Sequence, residues 1–260
     1  MKYAIMSDVH ANPAALEEAL KDSRAFGCEK FILLGDIIGY GYDPKNALEL
    51  VKENIDVVLM GNHDSVCLGL EPDWEVEGIA NYDLDRKARR ELSESELKWL
   101  RGRGYLHKED CFVCAHGDFT RPQGWNYIFE QDEAVQNFFS RGERLMFCGH
   151  THWALIWEQT AKGLVRQKLD KRFERLPAKT ESITFKLNPK NRYIINVGSV
   201  GYPRNDFVSS YGIFDSEAGR VTIRRMPFDF KKYTMELIDH NIRLPDWLCR
   251  FLSDSGMLTE

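Results

Sequence analysis

Val57-Val58-Leu59-Met60-Gly61-Asn62-His63-Asp64, residues 57–64, joins an apolar run to four compact polar or permissive residues. The run reads as a buried strand over 56–60, and the four residues after it as the loop where that strand ends. Two readings stand for the loop. One is an ordinary turn of Gly, Asn and Asp. The other is a site: Asn62 offers an amide oxygen to a metal, His63 carries a proton near neutral pH, and Asp64 can orient the imidazole. The neighbouring segments decide between them.

Moving outward, the same grammar recurs. Residues 2–6 read as a buried strand ending at Ser7-Asp8-Val9-His10. Pro13 opens a helix over 13–26 with Ala15, Leu16, Ala19, Leu20 and Phe26 on one face. Phe31–Leu34 is a second strand ending at Gly35-Asp36, and a short helix follows Pro44. Strand–helix alternation with short buried strands predicts an α/β layered fold, with sites at the carboxyl ends of the strands. Residues 65–107 break the rhythm. They predict helices near 79–91 and 94–101, the second capped by Ser93 with Glu96, and read as a helical lid-like insertion. Strands resume at 112–115, ending in His116-Gly117-Asp118, and at Leu145–Cys148, ending in Gly149-His150-Thr151-His152, with a helix over 132–141 between them. The remainder is β-rich, at about 153–159, 163–169, 181–187, 192–197, 209–215 and 219–226, followed by helices over 230–239 and 245–252. A single domain over 1–260 is expected.

With 43% hydrophobic and 29% charged residues, the chain can bury a sizeable core. A net charge of −5 leaves no general footprint for nucleic acid or an acidic membrane. No long uncharged apolar run predicts a membrane span. Six cysteines without a signal-peptide pattern point to a reducing cytoplasm. Cys111 and Cys114 form a CxxC inside an apparent strand, with no second pair to complete a zinc spacing, so both are expected as small core residues.

Five strand ends therefore carry Asp8/His10, Asp36, Asn62/His63, His116 and His150/His152. Asp8 and His10 are two apart, as are His150 and His152; an extended backbone would aim each pair at one point. Carboxylates, one amide oxygen and imidazoles make a mixed O/N donor set suited to Mn, Fe or Zn, with Ni or Co also accommodated. With His63 set aside as the proton carrier, seven donors remain, more than one tetrahedral ion takes. They suit two ions about 3.5–4 Å apart that share a carboxylate.

The blocks SDVH (7–10), GD (35–36), GNHD (61–64), HG (116–117) and GHTH (149–152) resemble, in order, those of the calcineurin-like metallophosphoesterases. GSVGYPRND (198–206) is similar to a segment of the small bacterial and archaeal members, near the YfcE-like phosphodiesterase and diadenosine-tetraphosphatase-related branches. The resemblance implies a four-layer α/β/β/α sandwich of two mixed β-sheets flanked by helices. It implies that Asp8, His10 and His152 hold one metal, that Asn62, His116 and His150 hold the other, and that Asp36 bridges them. It further implies that His63 faces the substrate, paired with Asp64. The reaction would be hydrolysis of a small phosphodiester or phosphomonoester, nucleotides included, by a metal-bridging hydroxide with His63 as general acid. Mn or Fe is the expected metal.

The substrate is less legible. No arginine follows Asp36 in Gly35-Asp36-Ile37-Ile38-Gly39-Tyr40, unlike the protein Ser/Thr phosphatases. Arg121 and Arg204 are the candidate phosphate contacts. Asp118 reads as a turn residue or a partner of the ligands. Trp74, Tyr82, Trp125 and Tyr127 could stack on a base or pack under the insertion. The basic stretch 162–175 reads as a solvated hairpin face, with a phosphate-rich ligand as the alternative. Two other functions stay open: a metal-dependent nuclease, and a noncatalytic interaction scaffold. The intact ligand set and His63 argue against the scaffold.

Overall fold

A computed structural model describes residues 1–72, 82–170, 179–204, 208–244, 248–249 and 253. Trp74, the start of the helix expected over 79–91, residues 171–175 of the basic stretch, residues 205–206 and most of the helix expected over 245–252 lie outside the described residues. Two compact units divide the chain, Met1–Phe228 and Asp229–Glu260.

In the first unit, one six-stranded sheet has the order β3-β2-β1-β11-β12-β9. Its strands are β1 (Lys2–Met6), β2 (Lys30–Leu33), β3 (Val57–Val58), β9 (Glu181–Lys186), β11 (Val208–Asp215) and β12 (Arg220–Pro227). The other sheet has the order β4-β5-β6-β10-β7-β8. It is built from β4 (Leu106–Lys108), β5 (Val113–Ala115), β6 (Leu145–Cys148), β7 (Ala154–Gln159), β8 (Val165–Asp170) and β10 (Arg192–Val197). Both sheets are mixed. β1, β2 and β3 run parallel, as do β5, β6 and β10. Three carboxyl ends therefore gather at one edge of each sheet.

The unbroken apolar strands are explained by burial on both faces. Tyr3 and Ile5, Phe112 and Cys114, Leu145 and Phe147, and Tyr193, Ile195 and Val197 point into one central core between the sheets. The alternate residues Ala4 and Met6 join a second core under helices α1 (Pro13–Ala25), α2 (Pro44–Asn54), α4 (Asp83–Glu91) and α5 (Glu94–Arg101). Val113, Ala115, Met146, Cys148 and Ile194 join a third core with Ala134 and Phe138 of α6 (Gln131–Ser140). This is the four-layer sandwich. Cys114 is a core residue as expected, whereas Cys111 is exposed at the strand's approach.

A short helix and a strand among the described residues escaped the sequence reading. Asn62 opens a short helix, α3 (Asn62–Cys67), with Gly61 at its N-cap, where a loop was expected. β4 pairs with β5 and extends the second sheet. The segment 65–107 is also more than a cover: Ala88, Leu92, Leu97 and Leu100 belong to the core under the first sheet. In the second unit, Asp229 caps α7 (Phe230–Asp239) by accepting from the Lys232 amide at 2.9 Å.

Candidate metal centre

The parallel strand ends deliver Asp8, His10 and Asp36 from the first sheet and His116, His150 and His152 from the second. All six are buried. The backbone that presents them is not extended. Asp8 (φ 58°), His10 (48°), Asp36 (56°), His150 (66°) and His152 (64°) all lie in the left-handed region. This corrects the expectation that residues two apart converge through an extended segment. Left-handed, not extended, backbone turns each pair inward, at roughly 1–2 kcal/mol for each non-glycine residue. Such strain persists where the surroundings over-determine it, and functional sites are where it concentrates.

Those surroundings are specific. The loop after β1 is zipped to the loop after β2: the Asp8 amide donates to Gly35 O (3.1 Å), His10 to Asp36 O (3.0 Å) and Ala11 to Ile37 O (2.7 Å). Across the two sheets, the His150 amide donates to Asp8 Oδ2 at 3.0 Å. Gly61 lies so close to Asp36 that a side chain at position 61 would collide with the carboxylate.

Ring orientation is fixed from behind. His10 Nδ1 donates to Ile38 O (2.9 Å), His152 Nδ1 to Tyr202 O (2.5 Å) and His150 Nε2 to Trp125 O (2.8 Å). Each bond leaves the opposite ring nitrogen as an inward lone pair, the arrangement by which backbone carbonyls set imidazole ligands. His10 Nε2 lies 3.1 Å from His152 Nε2, and His116 Nε2 lies 3.1 Å from His150 Nδ1.

The carboxylates complete the set. Asp8 Oδ1 is 3.3 Å from His152 Nε2. Asp36 Oδ2 stands between the groups, 3.7 Å from His10 Nε2 and 3.3 Å from His116 Nε2. Asn62 Oδ1 lies 3.2 Å from His116 Nε2. Asp8 Oδ1 and Asp36 Oδ2 are buried with no hydrogen-bond partner, although a buried carboxylate oxygen without compensation is expensive. Facing lone pairs beside orphaned anionic oxygens fit cations. Asp8, His10 and His152 form one group of potential ligands, and Asp36, His116 and His150 another. His10, Asp36 and His63 form a third, so the cluster fits bound metal. Burial alone would lower His116, but Asp36 beside it reverses this and pushes the ring up to about 9. Burial, with His116 second, pulls His150 down to about 3.

His63 is buried beside these ligands, and its amide donates to Asp36 Oδ1 at 2.9 Å. Its expected partner is corrected. Asp64 accepts from four amides, those of Asp36 (2.9 Å) and Gly61 (3.1 Å) at Oδ2 and those of Ile37 (3.0 Å) and Ile38 (3.1 Å) at Oδ1. It fastens the β2 loop, and its oxygens are spent on backbone. His63 Nδ1 instead meets Asp85 of α4, at 2.9 Å to Oδ2 and 3.1 Å to Oδ1. Burial would depress His63, but the nearby Asp85, ahead of Asp36, holds it above its ordinary value. The sequence signal for Asp85 was faint: a carboxylate three residues before Ala88, on the buried side of an otherwise highly charged helix.

Tyrosines surround the centre. Tyr40 and Tyr202 stack at 4.2 Å, Tyr40 leans on His63 at 4.5 Å, Tyr82 meets His63 at 5.2 Å, and Tyr127 lies flat on His150 at 4.3 Å. Arg204 reaches this ring, with Nη2 3.5 Å from the Tyr40 hydroxyl. Arg121 is exposed beside Gly124, and no described contact ties it to the centre. Trp125 contributes its carbonyl to His150, while its indole N–H donates to Glu71 at 2.9 Å. Asp118 is buried and accepts from the Thr120 hydroxyl, as a partner in its own loop.

The calcineurin-like phosphoesterase superfamily domain matches residues 1–219. An uncharacterized protein of Methanocaldococcus jannaschii, MJ0912, is 30% identical over 251 residues, 94% of each chain. The crystal structure of a metallophosphoesterase from Sphaerobacter thermophilus superposes with a TM-score of 0.77 at 29% identity, covering 95% of this chain and 97% of that one. A putative diadenosine tetraphosphatase shares the fold at a TM-score of 0.50 and 16% identity, over 86% of this chain and 93% of its own.

Proposed function

This chain belongs to the calcineurin-like phosphoesterase superfamily, and from that premise we propose that it hydrolyses a small phosphodiester or phosphomonoester, using two metal ions and His63. The observation that carries the reading is the pair of orphaned oxygens, Asp8 Oδ1 and Asp36 Oδ2, facing imidazole nitrogens already locked by backbone carbonyls. Asp8, His10 and His152 would hold one ion, and Asn62, His116 and His150 the other, with Asp36 shared. Two such ions supply Lewis acidity toward phosphoryl oxygens and lower the pKa of water toward 7. Oxygen and nitrogen donors without thiolate favour Mn or Fe over softer choices.

The chain's own residues do the rest. His63 carries the proton that the leaving alkoxide takes, a contribution typically worth about 10²–10⁴-fold. Arg204, held between Tyr40 and Tyr127, engages a phosphoryl oxygen. The tyrosine ring shapes the mouth around the organic part of the ester. Asp64 keeps the Asp36 loop closed through its four amides. Six free thiols suit a reducing cytoplasm.

The test is a metal-supplemented comparison of p-nitrophenyl phosphate with its bis-ester, followed by a nucleotide panel. Turnover of either ester that follows metal content, and an Arg204→Ala variant with raised KM, support the reading. Protein carrying about two ions per chain that hydrolyses neither ester sinks it.

A further inference from the structure

His63 sits in a socket that its own motif does not complete. Asp64, next in sequence, has both oxygens committed to four backbone amides. The loop after Asp36 brings Gly39 to the ring, with φ +92°. A Cβ at position 39 would lie 2.5 Å from His63 Nδ1 and 2.9 Å from Asp85 Oδ1. The space beside Nδ1 is thus open only because position 39 has no side chain, and Asp85 fills it from α4, 22 residues beyond His63 in sequence.

Asp85 is the third residue of α4, a position where a carboxylate commonly answers the helix's own free amides. Here both oxygens go to His63 Nδ1 instead. Asp85 is 0% exposed and His63 3%. A carboxylate so buried is tolerated when paired and hydrogen-bonded. The ring is also wedged by Tyr40, Tyr82 and His10, with centroids at 4.5, 5.2 and 5.0 Å. Packing sets the plane of the imidazole, and Asp85 sets which nitrogen faces away from the reaction.

We propose that Asp85 is the positioning residue of His63: held against Nδ1 in the space left by Gly39, it directs the Nε2 proton toward the leaving group. The proposal rests on the phosphoester reading above. In the step concerned, the Nε2–H bond breaks, an O–H bond forms on the departing alkoxide, and imidazolium becomes neutral imidazole. Asp85 remains a carboxylate throughout and takes no proton. Helix α4 thereby contributes to the chemistry and not only to the core under the first sheet.

The experiment compares Asp85→Asn, Asp85→Ala and His63→Gln with wild type on two esters of one phosphate, an alkyl ester and a p-nitrophenyl ester. p-Nitrophenolate departs without a proton, whereas an alkoxide requires one. All proteins should bind the same number of metal ions. Both Asp85 variants should lose kcat on the alkyl ester by about 10²-fold, within the range for general acid help, with a loss at least tenfold smaller on the p-nitrophenyl ester and little change in KM. Separately, metal-free wild type labelled with ¹⁵N-histidine should show a slowly exchanging His63 Nδ1–H that Asp85→Ala abolishes. Equal losses on both esters, or an Nδ1–H signal unmoved in Asp85→Ala, would overturn the assignment while the ester-selective loss of His63→Gln leaves the phosphoester reading intact. If metal-loaded wild type hydrolyses neither ester, or His63→Gln loses nothing on the alkyl ester, both readings fall together.

Discussion

Asp8, His10, Asp36, His116, His150 and His152 come from loops that leave parallel strands, whereas His63 and Asp85 come from two helices, α3 and α4. The strand-end half is rigid by construction. Five of its six residues hold left-handed backbone conformations, and carbonyls aim three of its rings. The helical half is assembled from pieces 22 residues apart, meeting in a gap that depends on Gly39. Binding cations requires fixed lone pairs, which strand ends clamped between two sheets provide. Moving a proton requires a ring with a defined partner, which a helix at the rim can supply without disturbing the sheets.

The separation can be broken experimentally. Asp36→Asn should have the largest effect, because it removes charge at the carboxylate proposed to be shared by the two metal ions. Metal analysis should show fewer ions per chain, and activity should fall further than the roughly 10²–10⁴-fold expected from losing an acid. His63→Gln comes next: full metal content, with a loss of about 10²–10⁴-fold confined to poor leaving groups. If His63→Gln also empties the metal sites, the two halves are one unit and the comparison fails.

Gly39→Ala sharpens the boundary. It inserts a Cβ between His63 and Asp85 at a positive φ. Chemical denaturation should report a loss of about 1–3 kcal/mol, with metal content retained and the alkyl ester affected more than the p-nitrophenyl ester. The smallest effect lies far from both halves. Asp22 pairs with Arg224 and accepts from the Tyr211 hydroxyl at 2.6 Å. Burial would raise this carboxyl, but Arg224 and Tyr211 hold it below its usual value. A depressed carboxyl stabilises the fold above its unfolded pKa and loses that contribution as pH falls through the folded value. Asp22→Asn should therefore cost about 1–2 kcal/mol near pH 7, the gap from wild type closing in acid below pH 4, with kcat unchanged.

What could be read from the sequence follows the same division. Short apolar runs ending in Asp, His and Asn announced strands buried on both faces, and the carboxyl ends of parallel strands are where ligands collect. Residues such as His150 and His152 were visible because chemistry and spacing coincide within four positions. Their left-handed backbone was not visible, since local preference disfavours it and its supports, such as the His150 amide on Asp8, form only in the folded chain. Asp64 misled because proximity in sequence suggested a partner for His63, while the amides of a loop nearly 30 residues earlier had the stronger claim. Asp85 carried no motif; only its burial on a charged helix marks it, and burial is a property of the folded chain. Arg121 and Arg204 looked equivalent as cations, and only the fold separates the one beside Tyr40 from the one left in solvent.

The seam between the sheets has a thermodynamic consequence. The first sheet supplies both carboxylates and one imidazole and the second supplies three imidazoles, and the His150 amide already bonds Asp8 across the seam. An ion bound by both sides is a ligand of the native state alone, because the unfolded chain cannot gather donors from positions 8 to 152. Occupancy of each ion then adds RT ln(1 + [L]/Kd), about 2.7 kcal/mol at a hundredfold excess over Kd. The melting temperature of this protein becomes a readout of metal supply, and a chelator acts on it as a mild denaturant.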